Sequence, residues 1–398
     1  MKKSLIALAV LAASGAAMAQ SSVTIWGVVD AAYSNYSQGG LSRTFMTTSG
    51  NASSQLGFKG TEDLGGGMSA SFWLEAQMNN DSGSGSGFNG TNIGAISTTA
   101  GTAVTASGAL ANNTTANNGG LVFNRRSTID LAGSFGAIRL GRDYTPSFWN
   151  HTVFDPFGTL GAGSGANITL PSTLTLAAAN TNALTGARTN NGFTYLYGIA
   201  PNGGSHALGS QGVYAQVTFA PAENLSNAAA GAAGQYQGAR VGYAAGALNI
   251  AGSYAESNFQ TNAATKYKET NIAGSYDMGV AQLMAHWGTN DISTAAASKS
   301  SHWGIGAKIP MGSGYIPVSF NSVSINNAAN SGASQFAIGY VYNLSKRSAL
   351  YTTYSALSNK NGGAYTFLGG NGGGNAGLGS VAAGKDGTAF DAGFRTSF

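Results

Sequence analysis

The chain has 398 residues, with 19 Lys and Arg against 15 Asp and Glu, a formal net charge of +4 and no cysteine. Charged residues make up only 9%, where a soluble domain usually carries about 25%, yet 43% of residues are hydrophobic and 60 are glycine. This balance excludes a surface kept soluble by charge, a nucleic-acid partner, which needs a concentrated basic patch, and disulfide, thiolate or cysteine-ligated metal chemistry.

Residues 1–19 read as a signal peptide, with Lys2 and Lys3, an apolar run from Leu5 to Ala13, and the cleavage site Ala17-Met18-Ala19. That run is too short to cross a membrane as a helix, and no later run reaches the ~20 apolar residues such a helix needs. The remainder, 20–398, reads as one β domain. Its sixteen candidate strands are 22–36, 53–60, 68–79, 121–133, 136–144, 188–199, 210–220, 234–246, 248–259, 266–279, 280–291, 299–312, 314–326, 334–346, 348–360 and 387–398. Each alternates apolar and polar residues and is bounded by turn formers.

The connections alternate in length. Gly133-Ser134-Phe135-Gly136, Ala245-Gly246-Ala247, Asp277-Met278-Gly279 and Ser345-Lys346-Arg347 are short, whereas 80–120, 145–187, 221–233 and 361–386 are long. Short periplasmic turns and long outer loops are the signature of an outer-membrane barrel. The pattern predicts an all-β fold, a closed antiparallel transmembrane β-barrel of about sixteen strands. The connection from Pro201 to Gly209 departs from it, being longer than a tight turn. Segments 80–120 and 361–386, rich in Ser, Gly, Asn, Thr and Ala, are expected as solvated extracellular loops.

Strand alternation assigns faces. Phe193, Tyr195 and Tyr197 share one face, and so do Phe336, Ile338, Tyr340 and Tyr342. In the last strand Phe390, Phe394 and Phe398 lie opposite Asp391 and Arg395. The four histidines, His151, His206, His286 and His302, form no recognisable Ser/His/Asp constellation and no pair at metal-ligand spacing. Neither an enzyme, nor a cofactor, nor a metal site is expected. Tyr144, Phe148, Trp149 and Phe157 read either as a solute track or as packing for the loop that carries them.

Four stretches carry a family resemblance. They are Ser22-Val23-Thr24-Ile25-Trp26-Gly27-Val28-Val29-Asp30, Ser54-Gln55-Leu56-Gly57-Phe58-Lys59-Gly60-Thr61-Glu62-Asp63-Leu64-Gly65, Phe123-Asn124-Arg125 and Leu140-Gly141-Arg142-Asp143-Tyr144-Thr145-Pro146. Together they resemble the opening strands, and the approach to the third loop, of the trimeric general porins of Gram-negative bacteria, most closely the β-proteobacterial type. The resemblance covers the whole chain. It implies a multi-pass outer-membrane location and a homotrimer among outer-membrane lipid and lipopolysaccharide. It further implies passive diffusion of small hydrophilic solutes and ions through a water-filled pore. A channel specific for one small solute, anionic ones included, is the alternative. The terminal Phe398 resembles the signal that such barrels present to the barrel assembly machinery.

In that family the third loop folds into the barrel and narrows the pore. Here the loop, 145–187, holds Asp155-Pro156-Phe157-Gly158, similar to the family's Pro-Glu-Phe-Gly. The match implies a constriction with the Asp155 carboxylate on the loop and Arg125, Arg142, Arg188 and Lys59 on the wall, and hence a weak anion preference. Gln55 and Val28 stand where relatives often carry arginine and lysine, which weakens the positive wall. If Arg125 points inward, Arg126 and Asp130 point outward. Because an Arg facing lipid at mid-bilayer costs about 2–4 kcal/mol, the two are expected to pair in the trimer interface; a shifted register is the alternative.

Overall fold

A computed structural model describes residues 22–83, 85, 121–169, 186–202, 211–222, 232–258, 266–293, 298–326, 330–368 and 382–398. The expected signal peptide, most of the 80–120 loop and His206 lie outside these residues. The strands are β1 (Ser22–Gln38), β2 (Leu41–Thr48), β3 (Gln55–Gly65), β4 (Met68–Gln77), β5 (Arg126–Gly133) and β6 (Gly136–Tyr144). They continue with β7 (Arg188–Tyr197), β8 (Gly212–Ala220), β9 (Tyr236–Ala245), β10 (Leu248–Asn258), β11 (Lys266–Asp277) and β12 (Gln282–Ile292). The last five are β13 (Ser298–Met311), β14 (Gly314–Asn326), β15 (Gly332–Asn343), β16 (Ser348–Lys360) and β17 (Gly387–Ser397).

Every neighbouring pair is antiparallel, and β1 closes the ring on β17 from Val28↔Ser397 to Gln38↔Gly387. Phe398 completes the seam, its N–H donating to Gly27 O (3.0 Å) and its carbonyl accepting from Gly27 N–H (3.2 Å). β2 and β3 pair with successive halves of β1, so they form one wall position and the ring has sixteen. A closed ring leaves no strand edge unpaired in hydrocarbon, and about sixteen strands leave an aqueous channel rather than a packed interior.

Why these strands close in this sense is visible in their two faces. Ile129, Leu131, Leu140, Phe193, Val217, Val241, Ile272 and Ile305 are exposed on the outside. Thr194, Thr218, Arg240, Asn271 and Gln335 are buried on the inside. The polar side chains line the interior and the apolar ones meet lipid, as a transmembrane barrel requires. The expected faces hold: Phe193, Tyr195 and Tyr197 point out, as do Phe336, Ile338 and Tyr342, and Phe390, Phe394 and Phe398 lie outside while Asp391 is buried.

Two segments differ from the expectation. The second wall strand begins at Leu41, well before residue 53, and is broken between Thr48 and Gln55. β2 is exposed on both faces over Leu41–Thr44, so no apolar alternation marks it. The break is an inward bulge held by Asp30, whose Oδ2 accepts from Asn51 N–H (2.8 Å) and Ala52 N–H (2.5 Å), with Ser49 at φ 67°. Part of the 361–386 segment also turns inward. Tyr365 and Phe367 are buried against Tyr36 and Ile168 rather than solvated.

Candidate functional site

The third loop starts where Thr145 caps helix α1 (Pro146–Val153), its hydroxyl accepting from Phe148 N–H at 3.2 Å. A hydroxyl cap followed by proline at the first helical position is a strong local start signal. α1 then lies against β8–β11. Ser147 Oγ donates to Glu269 Oε2 (3.0 Å), His151 Nε2 meets Glu269 Oε1 (2.7 Å), and Asn150 Nδ2 donates to Asn271 Oδ1 (2.8 Å). Glu269 and Asn271 are buried, inward-facing residues of β11. Phe148 lies tilted over Tyr144 and Trp149 meets it edge-on, with centroids 4.7 and 4.8 Å apart.

From α1 the chain crosses to the other side of the ring. Ala162 N–H donates to Asp391 Oδ2 of β17 at 2.8 Å, and Gln335 Nε2 of β15 donates to Ser164 O at 3.0 Å. The short helix α2 (Ala166–Thr169) ends on β14 and β15. The segment is therefore fastened to inward-facing side chains on both sides of the barrel. Beside it remains an open space of about 630 Å³, whose lining includes Glu75, Arg125, Arg126, Asp143, Lys308 and Arg395 with Pro156, Phe157 and Thr159 of the loop.

The residues expected at a pore constriction are distributed as follows. Arg125 is at the lining, its Nε 2.6 Å from Glu75 Oε1 and its Nη2 donating to Tyr144 Oη (3.2 Å). Arg188 lies over the Tyr144 ring at 4.1 Å. Arg142 donates to Asn124 O (2.5 Å) and to Asn190 Oδ1. Lys59 stands over the Trp73 ring at 4.7 Å, where Arg126 also sits at 4.5 Å. Asp155 belongs to the loop but turns away from the open space. It is 4% exposed, and its oxygens accept from Phe157 N–H (2.9 Å), Thr159 N–H (3.0 Å) and Gly165 N–H (3.0 Å). Its carboxylate closes the loop on itself, and the acidic groups at the lining are Glu75 and Asp143 instead.

The expectation that Arg126 and Asp130 face outward is corrected. Both are buried inside, while Ile129 and Leu131, which flank Asp130, lie outside. Arg125 precedes β5 and escapes its alternation, so consecutive arginines both reach the lumen. Arg139 Nε and Nη1 lie 2.5 Å from Asp130 Oδ1 and Asp143 Oδ2, and Arg126 lies 3.8 Å from each of the same carboxylates. These two arginines and two aspartates form one neutral cluster.

Three groups were not assigned to the site from the sequence, although Arg395 was already placed on the face opposite the phenylalanines. Lys308 and Arg395 were each legible as inward positions of alternating strands. The histidines were legible in a different way: His286-Trp287-Gly288 and His302-Trp303-Gly304 repeat on paired strands, with Trp287↔Trp303 in register and each histidine opposite a glycine. A Cβ on Gly288 would meet His302 Nε2 at 2.6 Å, and one on Gly304 would meet His286 Cε1 at 2.4 Å, so only glycine seats these rings. Together with His151 of α1 they form a trio with centroids 5.4–6.3 Å apart. Among the described residues no group of three His, Cys, Asp or Glu is set to hold a metal ion.

Comparison with known proteins agrees with this architecture. A family model described as Gram-negative porin matches residues 5–362. Outer membrane porin protein 32 of Delftia acidovorans is 38% identical over 286 residues, which are 71% of this chain and 68% of the relative. An outer membrane porin protein of Bordetella pertussis is 28% identical over 309 residues, again 71% and 68% of the two chains. The anion-selective porin from Comamonas acidovorans superposes with a TM-score of 0.72 at 31% identity, covering 95% of this chain and 100% of that one. The chain belongs to the Gram-negative porins, outer-membrane barrels that conduct small hydrophilic solutes passively and without catalysis.

Proposed function

We propose that this porin prefers small anions, and that the third loop sets the narrowest part of its pore. The observation that carries the reading is the charge count beside the loop: Arg125, Arg126, Lys308 and Arg395 against Glu75 and Asp143. Arg125 is neutralised by Glu75, and Arg126 belongs to the neutral cluster with Asp143. Lys308 and Arg395 remain as the positive excess at the lining, where neither has an ion-pair partner among the described residues; Asp155 and Asp30 act on them electrostatically from behind it. In a narrow lumen with low-dielectric walls such charges act more strongly than in bulk water and bias which ion enters. Arg142, Arg188 and Lys59 add positive charge behind the lining, and Asp155 shapes the loop from within. The structure of an anion-selective porin is among the relatives, which supports the same sign.

Reversal potentials in asymmetric KCl test this. A potential of the sign set by chloride is expected, and a cation-selective potential would overturn the proposal. The same reading takes residues 1–19 as a signal peptide, the assembled form as a homotrimer in lipid and lipopolysaccharide, and Phe398 as the mark for the assembly machinery, each on the family resemblance.

A further inference from the structure

The connection after β7 is too long for a tight turn, and the neutral four-charge cluster on β5 and β6 contributes nothing to the net field. One arrangement accounts for both. Gly198, at φ 65°, ends β7 where a Cβ would come 2.6 Å from Val213 O, and Ile199 is then tucked into the wall at 8% exposure. Pro201 follows with its carbonyl accepting from Arg126 Nη2 and Arg139 Nη2, both at 3.0 Å. Asn202 Nδ2 reaches Gly60 O (3.1 Å) and Thr61 Oγ1 on β3.

The strand register shows how far this segment has travelled. Thr61 pairs with Ser71, Ser71 with Asp130, Asp130 with Arg139, and Arg139 with Thr194. These five residues form one rung across β3 to β7. Pro201 and Asn202 are bonded at or beside that rung, although the chain left β7 beyond Tyr197, on the periplasmic side of it. The chain has thus turned back up into the barrel and crossed the inner face of β6, β5 and β4. Arg126 and Arg139 point inward, since Ile129, Leu131 and Leu140 occupy the outer face.

We infer that residues 198–202 form an inward strap that makes a second, periplasmic narrowing of the pore, and that Arg126 and Arg139 are its positioning residues. The cluster's aspartates orient the two guanidiniums so that one donor from each converges on a single carbonyl. Such charge-assisted donors are about twice as strong as neutral ones. Solutes that pass the third loop meet the strap next, so it limits size rather than charge: the cluster is neutral, and Pro201 O and Asn202 Nδ2 are spent on the wall.

The chain has no cysteine, which permits a clean lock. Thr61→Cys with Asn202→Cys should crosslink on mild oxidation, and the crosslinked channel should conduct as the native one does. Absence of a crosslink, or a conductance lowered by it, would place the native strap elsewhere and overturn the inference. In the opposite direction, Asn202→Ala and the charge-balanced pair Asp130→Asn with Arg139→Gln should each free the strap. Single-channel conductance should rise above the native value, since pore width sets conduction. In liposome swelling, the flux of a large neutral sugar should rise relative to a small one, while the Asn202→Ala reversal potential stays as in the native protein. Native conductance and native sugar ratios in both folded variants would refute the second narrowing.

Discussion

Replacing Gly161 with alanine probes whether the third loop is fixed inside the barrel. Gly161 has a φ of 63°, a conformation that costs an L-residue about 1–2 kcal/mol. Its new Cβ would stand 2.2 Å from Gly50 O, in the inward bulge between β2 and β3, and 3.0 Å from Asp391 Oδ2. Backbone on both sides must separate by about an ångström to restore ordinary contact. That movement takes Ala162 N–H away from the Asp391 carboxylate, which it meets at 2.8 Å, and a hydrogen bond to a charged group is worth about 1.5–3 kcal/mol. Together these favour release of the loop tip by about 3–5 kcal/mol, or roughly a hundred- to a few-thousand-fold in the docked-to-free ratio. The barrel wall itself loses no strand pairing, so the variant should still fold. Expected readouts are excess open-channel current noise and faster protease cleavage between Phe154 and Leu160. Asp391→Asn removes the charge and leaves one acceptor oxygen for the two donors, Ala162 N–H and Ser34 Oγ, and should fall between native and Gly161→Ala. A quiet, protease-resistant Gly161→Ala channel would show that the loop tip is held by something other than this contact.

Lys308→Gln removes one of the two positive charges that have no ion pair at the lining, and the reversal potential in asymmetric KCl should move toward zero without a large loss of conductance. His151→Ala deletes the 2.7 Å contact with Glu269 and leaves a buried carboxylate short of one partner. The loop should loosen by about 1–3 kcal/mol, seen as increased open-channel noise, while a Gly288→Ala variant should give a comparable effect by pushing the His302 ring from its seat.

The wall of the barrel was legible because it obeys one rule. Phe193 through Tyr197 and Phe390 through Phe398 alternate strictly, since one side meets hydrocarbon and the other meets water, and a one-residue slip would exchange the two. Where that contrast fades the reading fades with it. Leu41–Thr44 stands exposed on both faces, so nothing in those side chains reports that a strand has begun. The aromatic pair Tyr365 and Phe367 sits in a Gly- and Asn-rich stretch, and local composition carries no hint that Tyr36 and Ile168 wait across the lumen to bury it.

The interior was legible only in part, because alternation tells which side a charge faces but not what it faces. Arg125 lies at the lining and Asp155 within the loop, yet Arg125 is matched by Glu75, fifty positions earlier in the chain, and Asp155 is consumed by amides of its own loop. Arg126 and Asp130 failed for a sharper reason. Counting alternation from Arg125 assumed that β5 had already begun, and the strand starts one residue later. That single offset moves both side chains from lipid to lumen, removes the roughly 2–4 kcal/mol penalty of an outward arginine, and converts a supposed interface pair into half of the cluster that holds Pro201. In a barrel the identity of an inward charge is therefore written in its own strand, but the charge it meets is decided by partners strands away or on an inserted loop, as Glu75 is for Arg125 and Asp155 for Lys308.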